Sequence, residues 1–285
     1  MSQKPVLGLI GAGKVGQVLM RLLYKADYQI GAIYSRTPPT ALAGQVQAII
    51  ASDPRDVAAH ADLVVIALPD DAIAEVAARV SSVALDGKGV VHTSGAHGVD
   101  QLSVLAENGA MTGSLHPAYP FASVEKALTE LPGSTFAIEA ENNLLAVWLG
   151  DIVRALNGSI LSIPPGSKAL YHAAMTIASN YTVTLYALAQ QLLLTLSDEH
   201  EAVDGALNAL TAATVENLRT QGIPDALTGP LVRGDVSTVA AHLVALEQYD
   251  QHAADLYRQL ARQTLPMVRA RGVATDELEN LLGRS

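Results

Sequence analysis

The stretch that most restricts this chain lies at its start, where Val6-Leu7-Gly8-Leu9-Ile10 runs straight into Gly11-Ala12-Gly13-Lys14-Val15-Gly16. An apolar run, a G-x-G-x-x-G turn and then the helical spacing Val15, Val18, Leu19, Leu22, Leu23 read as strand, glycine turn and helix. Those flanking elements make the glycine pattern specific for a dinucleotide-binding turn. Gly11 permits the tight turn, Gly13 lets a pyrophosphate approach the backbone, and Gly16 allows close helix–strand packing. The helix start then offers unpaired N–H groups and the positive end of its dipole to an anion. Gly11, Ala12, Gly13, Lys14, Val15 and Gly16 are therefore the first expected cofactor contacts.

A second strand, 29–34, ends in Ser35-Arg36-Thr37 and Pro38-Pro39. Sites for NAD place Asp or Glu about 20 residues past the glycines to hold the ribose 2′-OH, whereas here Arg36 stands between two hydroxyls. A guanidinium forks onto a phosphate, so Ser35, Arg36 and Thr37 favour NADP over NAD. The run Asp62 to Leu68 is the clearest buried strand, and Leu68, Pro69 and Asp70 sit at its carboxyl end, where open α/β sheets bind ligands. Asp70 and Asp71 also suit the start of the helix that follows.

The same grammar returns at Gly89–Gly95 and Met111–Pro117, which place Ser94 and His116 at strand ends as candidate substrate contacts. His92, inside its strand, reads as a core histidine. Strands near 136–139 and 159–162 flank a helix over 141–156, and the series stops at Pro164-Pro165. No strand pattern follows. The expected fold is α/β: a doubly wound, mostly parallel sheet over 1–163, then an all-helical substrate and dimerisation domain over 164–285. One long helix, about 166–196, carries Lys168, His172, Thr176 and Asn180 at four-residue steps, on nearly one face. With ~1.5 Å rise per residue, Lys168 and His172 stand about 6 Å apart and Asn180 roughly 18 Å from Lys168. As the first helix after the nucleotide domain, it is expected to line the substrate cleft. Two further helical regions, about 197–220 and 236–271, are separated by a Gly/Pro-rich loop in which Asp235 either caps the next helix or faces substrate.

Any anionic ligand must be met by local groups, because the net charge of −10 excludes wholesale binding to nucleic acid or an anionic membrane. With no Cys, the chain lacks disulfides, thiolate catalysis and thiol-rich metal sites, and no metal is expected. Met1-Ser2-Gln3 leads into strand-like residues without a basic-then-apolar leader, and no run reaches the ~18 apolar residues of a membrane helix. The expectation is a cytoplasmic protein.

With these motifs the chain resembles the NADP-linked reductases that pair an N-terminal Rossmann domain with a helical C-terminal domain, among them 6-phosphogluconate dehydrogenase, ketopantoate reductase and pyrroline-5-carboxylate reductase. More narrowly, Gly113-Ser114-Leu115-His116-Pro117, Lys168-Ala169-Leu170-Tyr171-His172, and Thr228-Gly229-Pro230 with Arg233-Gly234-Asp235 are similar to a bacterial branch joining a Rossmann-like domain to a domain of unknown function. The resemblance implies a homodimer formed through the helical domain. It also implies a Lys acting as acid or base, with a substrate-holding Asn four residues later. Lys168 is kept, but His172 stands at the Asn position and the nearest Asn is Asn180. The reading is an NADP-dependent oxidoreductase passing hydride between NADPH and a small carbonyl, such as a ketopantoate-like 2-oxo acid, or an imine. His172 is the first and Lys168 the second candidate proton donor, with Ser94, His116 or Asn180 orienting the substrate. Two alternatives remain at this level: a catalytically silent NADP-binding sensor, and a reductase whose deazaflavin phosphates use the same glycine loop.

Overall fold

The apolar runs of the first half assemble into one eight-stranded sheet. The computed structural model describes residues 4–283; Met1–Gln3, on which the reading of no leader rests, and the last two residues lie outside it. In chain order the elements are β1 (Leu7–Ile10), α1 (Lys14–Lys25), β2 (Ile30–Tyr34), α2 (Thr40–Val46), β3 (Ile49–Ile50), α3 (Pro54–Ala59), β4 (Leu63–Ile66), α4 (Asp70–Val80) and β5 (Gly89–His92). There follow α5 (Ser103–Ala106), β6 (Met111–Pro117), α6 (Val124–Glu130), β7 (Thr135–Ala140), α7 (Asn143–Ala155), β8 (Ser159–Ser162) and α8 (Lys168–Ala178). The remaining helices are α9 (Asn180–Leu194), α10 (His200–Gln221), α11 (Val236–Tyr249), α12 (Gln251–Ala270) and α13 (Asp276–Leu282).

Strand order is β3-β2-β1-β4-β5-β6-β7-β8, parallel throughout except where β7 runs antiparallel to β6. The chain winds outward from β1 in one direction, then returns and winds from β4 in the other. That reversal opens a crevice at the carboxyl ends of β1 and β4. Both faces are covered, which is why these strands read as continuous apolar runs. Leu7, Leu9, Leu63 and Val65 pack under Val18, Leu19, Leu22 and Leu23 of α1. Ile10, Val64 and Ile66 alternate to the opposite face, under Val57 of α3 and Ile73, Ala77 and Val80 of α4. The expected α/β sheet with a helical second half is thus present.

The chain divides into two compact units, Met1–Asn180 and Tyr181–Ser285. The strands end by Ser162, close to the Pro164-Pro165 boundary, but α8 belongs to the first unit with the sheet. In the second unit, Val239 and Leu243 of α11, Ala261 and Leu265 of α12, and Leu278 and Leu282 of α13 share a small core.

One helical reading needs correction. The helix expected over 166–196 is two helices, α8 and α9, which meet at Ser179 (φ −110°, ψ −71°). The region 236–271 is helical as expected and consists of two helices that meet at Asp250, whose extended backbone (φ −162°) ends α11. Its carboxylate accepts from the N–H groups of His252 and Ala253 and so starts α12. Asp235 plays the capping part foreseen for it, accepting from Thr238 N at the start of α11. Among the described residues no helix is long and apolar enough to cross a membrane.

Candidate functional site

The glycine turn fills the crevice between β1 and β4, and its three glycines are separately required. Gly11 has φ +104°, and a side chain there would meet Ala67 O at 2.4 Å. Gly16 would meet Gly11 O at 2.3 Å, so it is what lets α1 lie against the turn. Gly13 faces open space, with nothing within 4 Å of where a side chain would begin. The turn is held by Gly11 N donating to Tyr34 O at 2.8 Å and by Ala67 N donating to Ile10 O at 2.8 Å. At the start of α1 there is neither a side-chain cap nor an acidic residue in the first turn. Its leading N–H groups are left to an anion.

From Gly11, Ala12 and Gly13 a groove of about 880 Å³ runs past Leu68 and Pro69 to Ser35, Arg36 and Thr37. The structure thus brings together three separate stretches singled out in the sequence. Lys14, Val15, Gly16 and Asp70 are not among its walls; Lys14 donates to Ala122 O at 2.6 Å. Asp70 and Asp71 both stand in the first turn of α4, and Asp71 lines the groove. Tyr34, Thr40, Glu75 and Arg79 line it too, without any motif to announce them. Arg79 reaches the groove from α4 and pairs with Asp53 at 3.0 Å.

A second constellation forms where β5 and β6 end. His92 is fully buried, its Nε2 donating to Gly98 O at 2.8 Å while Nδ1 accepts from Ser94 N at 3.2 Å. One neutral tautomer satisfies both bonds. Burial pushes its pKa down to about 4. The Ser94 hydroxyl oxygen accepts from Ala96 N and His97 N at 3.1 and 3.0 Å, folding the loop back on itself. From α8, Lys168, only 2% exposed, donates to Ser94 O at 3.1 Å. Burial lowers the Lys168 pKa, against the opposing pull of Glu139 and Asp70. Glu139 is buried on β7, in cross-strand register with Ser114, and burial raises its pKa. Ser94 and Lys168 therefore shape the loop from inside.

Two imidazoles converge over that loop. A side chain on Gly95 would begin 2.7 Å from His116 Nε2 and 2.9 Å from His172 Nδ1, so only glycine leaves the gap between them. Their ring centroids are 6.5 Å apart, edge to face. His116 Nδ1 lies 2.8 Å from the hydroxyl of Tyr171, a residue the sequence reading passed over. In the sequence only its three-residue spacing from Lys168 marks it; in the structure both are buried on α8 while His172 is exposed. Asn180 begins α9, past the Ser179 break. Among the described residues no group of three or more His, Cys, Asp or Glu side chains is placed to hold a metal.

Residues 2–117 match the model of a Rossmann-like domain, and residues 134–264 match a domain of unknown function, DUF2520. The chain joins these two domains. No curated protein matches it in sequence. Among solved structures it is similar to BF3122 of Bacteroides fragilis, described provisionally as an NADP oxidoreductase, at 26% identity, 92% coverage of this chain, 98% of that one and a TM-score of 0.71. TM1727 of Thermotoga maritima aligns at 25% identity, with 94% and 100% coverage and a TM-score of 0.77. Plasmodium falciparum pyrroline carboxylate reductase, solved with NADP bound, shares the fold at 15% identity, with 92% and 98% coverage and a TM-score of 0.60.

The buried His92 makes stability sensitive to acid. Its folded pKa of about 4 lies below its ordinary 6.5, so between those values the unfolded chain binds the extra proton. Stability present above pH 6.5 should be lost as pH falls towards 4, by up to about 3 kcal/mol from this group. Urea unfolding across that range should show the decline, and it should be shallower in His92→Gln; equal slopes would show that His92 is not its source.

Proposed function

We infer that this protein is an NADPH-dependent oxidoreductase that reduces the C=O or C=N bond of a small substrate. The observation that carries the reading is the continuous groove from the glycine turn to Arg36, set at the sheet's reversal point. A dinucleotide fits it, because Gly13 leaves the backbone open where a pyrophosphate approaches and the N–H groups at the start of α1 face it uncapped. Ser35, Arg36 and Thr37 supply a guanidinium and two hydroxyls for a 2′-phosphate. The likeness to BF3122 supports the same choice of cofactor.

When bound, the cofactor supplies the hydride through its dihydronicotinamide ring. The chain's own task is to hold the substrate and deliver a proton to its heteroatom, so that C=X plus hydride and proton becomes CH–XH. His172 has the placement for delivery: it is exposed on α8, beside the gap over Gly95, and solvent restores its proton. Lys168 holds the Ser94 carbonyl and with it the loop below the two histidines.

Titration with NADPH should show saturable binding, and Arg36→Asp should reverse or abolish the preference over NADH; an untouched preference would remove Arg36 from cofactor selection. NADPH oxidation with a panel of 2-oxo acids and imines should reveal turnover, whereas binding without turnover would favour a sensor. His172→Ala should lower turnover about 10²-fold or more with NADPH affinity retained, and unchanged turnover would exclude it as proton donor.

The second unit supports a homodimer. Leu210, Val215 and Leu218 of α10 and Val244 of α11 stand exposed, apolar side chains that a second copy would cover. Light scattering should give twice the chain mass of 29.8 kDa; a single chain mass at micromolar concentration would refute the dimer.

A further inference from the structure

We propose that Tyr171 is a positioning residue that holds His116 as its Nε2–H tautomer, presenting a neutral N–H beside Gly95 to the oxygen of a carbonyl substrate. The proposal rests on the reductase reading and adds to it the form of the substrate. It begins from the 2.8 Å contact between the Tyr171 hydroxyl and His116 Nδ1. Tyr171 is 8% exposed, and among the described residues His116 is the hydrogen-bond partner of its hydroxyl.

Two arrangements of the protons are conceivable. If Nδ1–H donated to the phenol oxygen, the buried phenol proton would have no acceptor among the described residues, at a desolvation cost. If the phenol donates to the Nδ1 lone pair, one bond satisfies both groups and the ring proton is left on Nε2. Burial raises the Tyr171 pKa, which keeps the phenol protonated. The Lys168 ammonium lies 5.6 Å from the Tyr171 ring centroid and adds to the field that disfavours an imidazolium next to it.

His116 is accordingly a donor, not a cation. The groups acting on it are Lys168 and His172 from α8, Asp70 from α4 and His92 from β5. Burial is the largest influence and pushes its pKa down to about 4. Its Nε2 lies at the gap that Gly95 leaves, next to His172 Nδ1. A hydrogen-bond donor fixed at this point needs an acceptor lone pair. A carbonyl oxygen has one, and so does a neutral imine nitrogen, but the iminium ion, the form of an imine that accepts hydride readily, does not. His116 then polarises the carbonyl while His172 delivers the proton, so the two histidines divide the work. Reduction moves the hydride to the carbonyl carbon and the His172 proton to oxygen, giving an alcohol.

The test has a spectroscopic arm and a kinetic arm. Long-range ¹⁵N–¹H NMR of the full chain should show His116 as the Nε2–H tautomer near neutral pH. In Tyr171→Phe, which keeps the ring and its packing, that preference should collapse to a mixture. A Nδ1–H tautomer in the wild type, or an unchanged tautomer in Tyr171→Phe, would overturn the proposal. In the kinetic arm, Tyr171→Phe should reduce kcat at least tenfold with NADPH affinity unchanged, and wild-type kcat/KM should favour 2-oxo acids over cyclic imines. A kcat within twofold, or a tenfold preference for imines, would also overturn it. Failure of the wild type to bind NADPH would sink the reductase reading instead, and the NMR arm would still decide whether Tyr171 sets the tautomer.

Discussion

The molecule depends on a backbone crossing that only glycine permits. Where β1 turns into α1, the chain passes so close to the end of β4 that any side chain on Gly11 would strike the Ala67 carbonyl. The same turn packs against Gly16 one helical turn later. These contacts set α1 against the sheet and bring its uncapped start to the reversal point between β1 and β4. The open backbone at Gly13 follows from this packing.

A second constraint governs the chemistry: polar groups buried near the carboxyl ends of β5 and β6 need partners, and among the described residues Ser114 Oγ and Glu139 Oε2 are the exceptions there. His92 uses both ring nitrogens on the 94–98 loop, Ser94 uses its hydroxyl on the same loop, and Lys168 closes it from α8. With three side chains on one short loop, Gly95 is held in place beneath His116 and His172. A polar cluster of this kind specifies geometry more than it adds stability, since each group trades water for a protein partner.

Much of this was legible in order along the chain. Strands β1, β4, β5 and β6 announced themselves as apolar runs, and the glycine turn, Ser35-Arg36-Thr37 and Leu68-Pro69 were each visible at a strand end. Less legible were the helix boundaries at Ser179, where helix-forming residues continue on both sides, and at Asp250, which stands in the polar run Glu247-Gln248-Tyr249-Asp250-Gln251-His252. Tyr171 was hidden for another reason. On an Ala- and Leu-rich helix a tyrosine reads as core, and its partner His116 lies 55 residues away.

By itself the sequence determined the alternation of strand and helix, the glycine turn and the end of the strands near Pro164-Pro165, because these depend on local propensity and periodicity. Tertiary structure alone decided that Arg79 joins the nucleotide groove, that Lys168 points into the first unit to hold Ser94, and that His116 meets Tyr171. Those pairings link residues 26 to 74 positions apart. No periodicity specifies such contacts; they arise only when burial brings unpaired polar groups together and leaves them one another as partners.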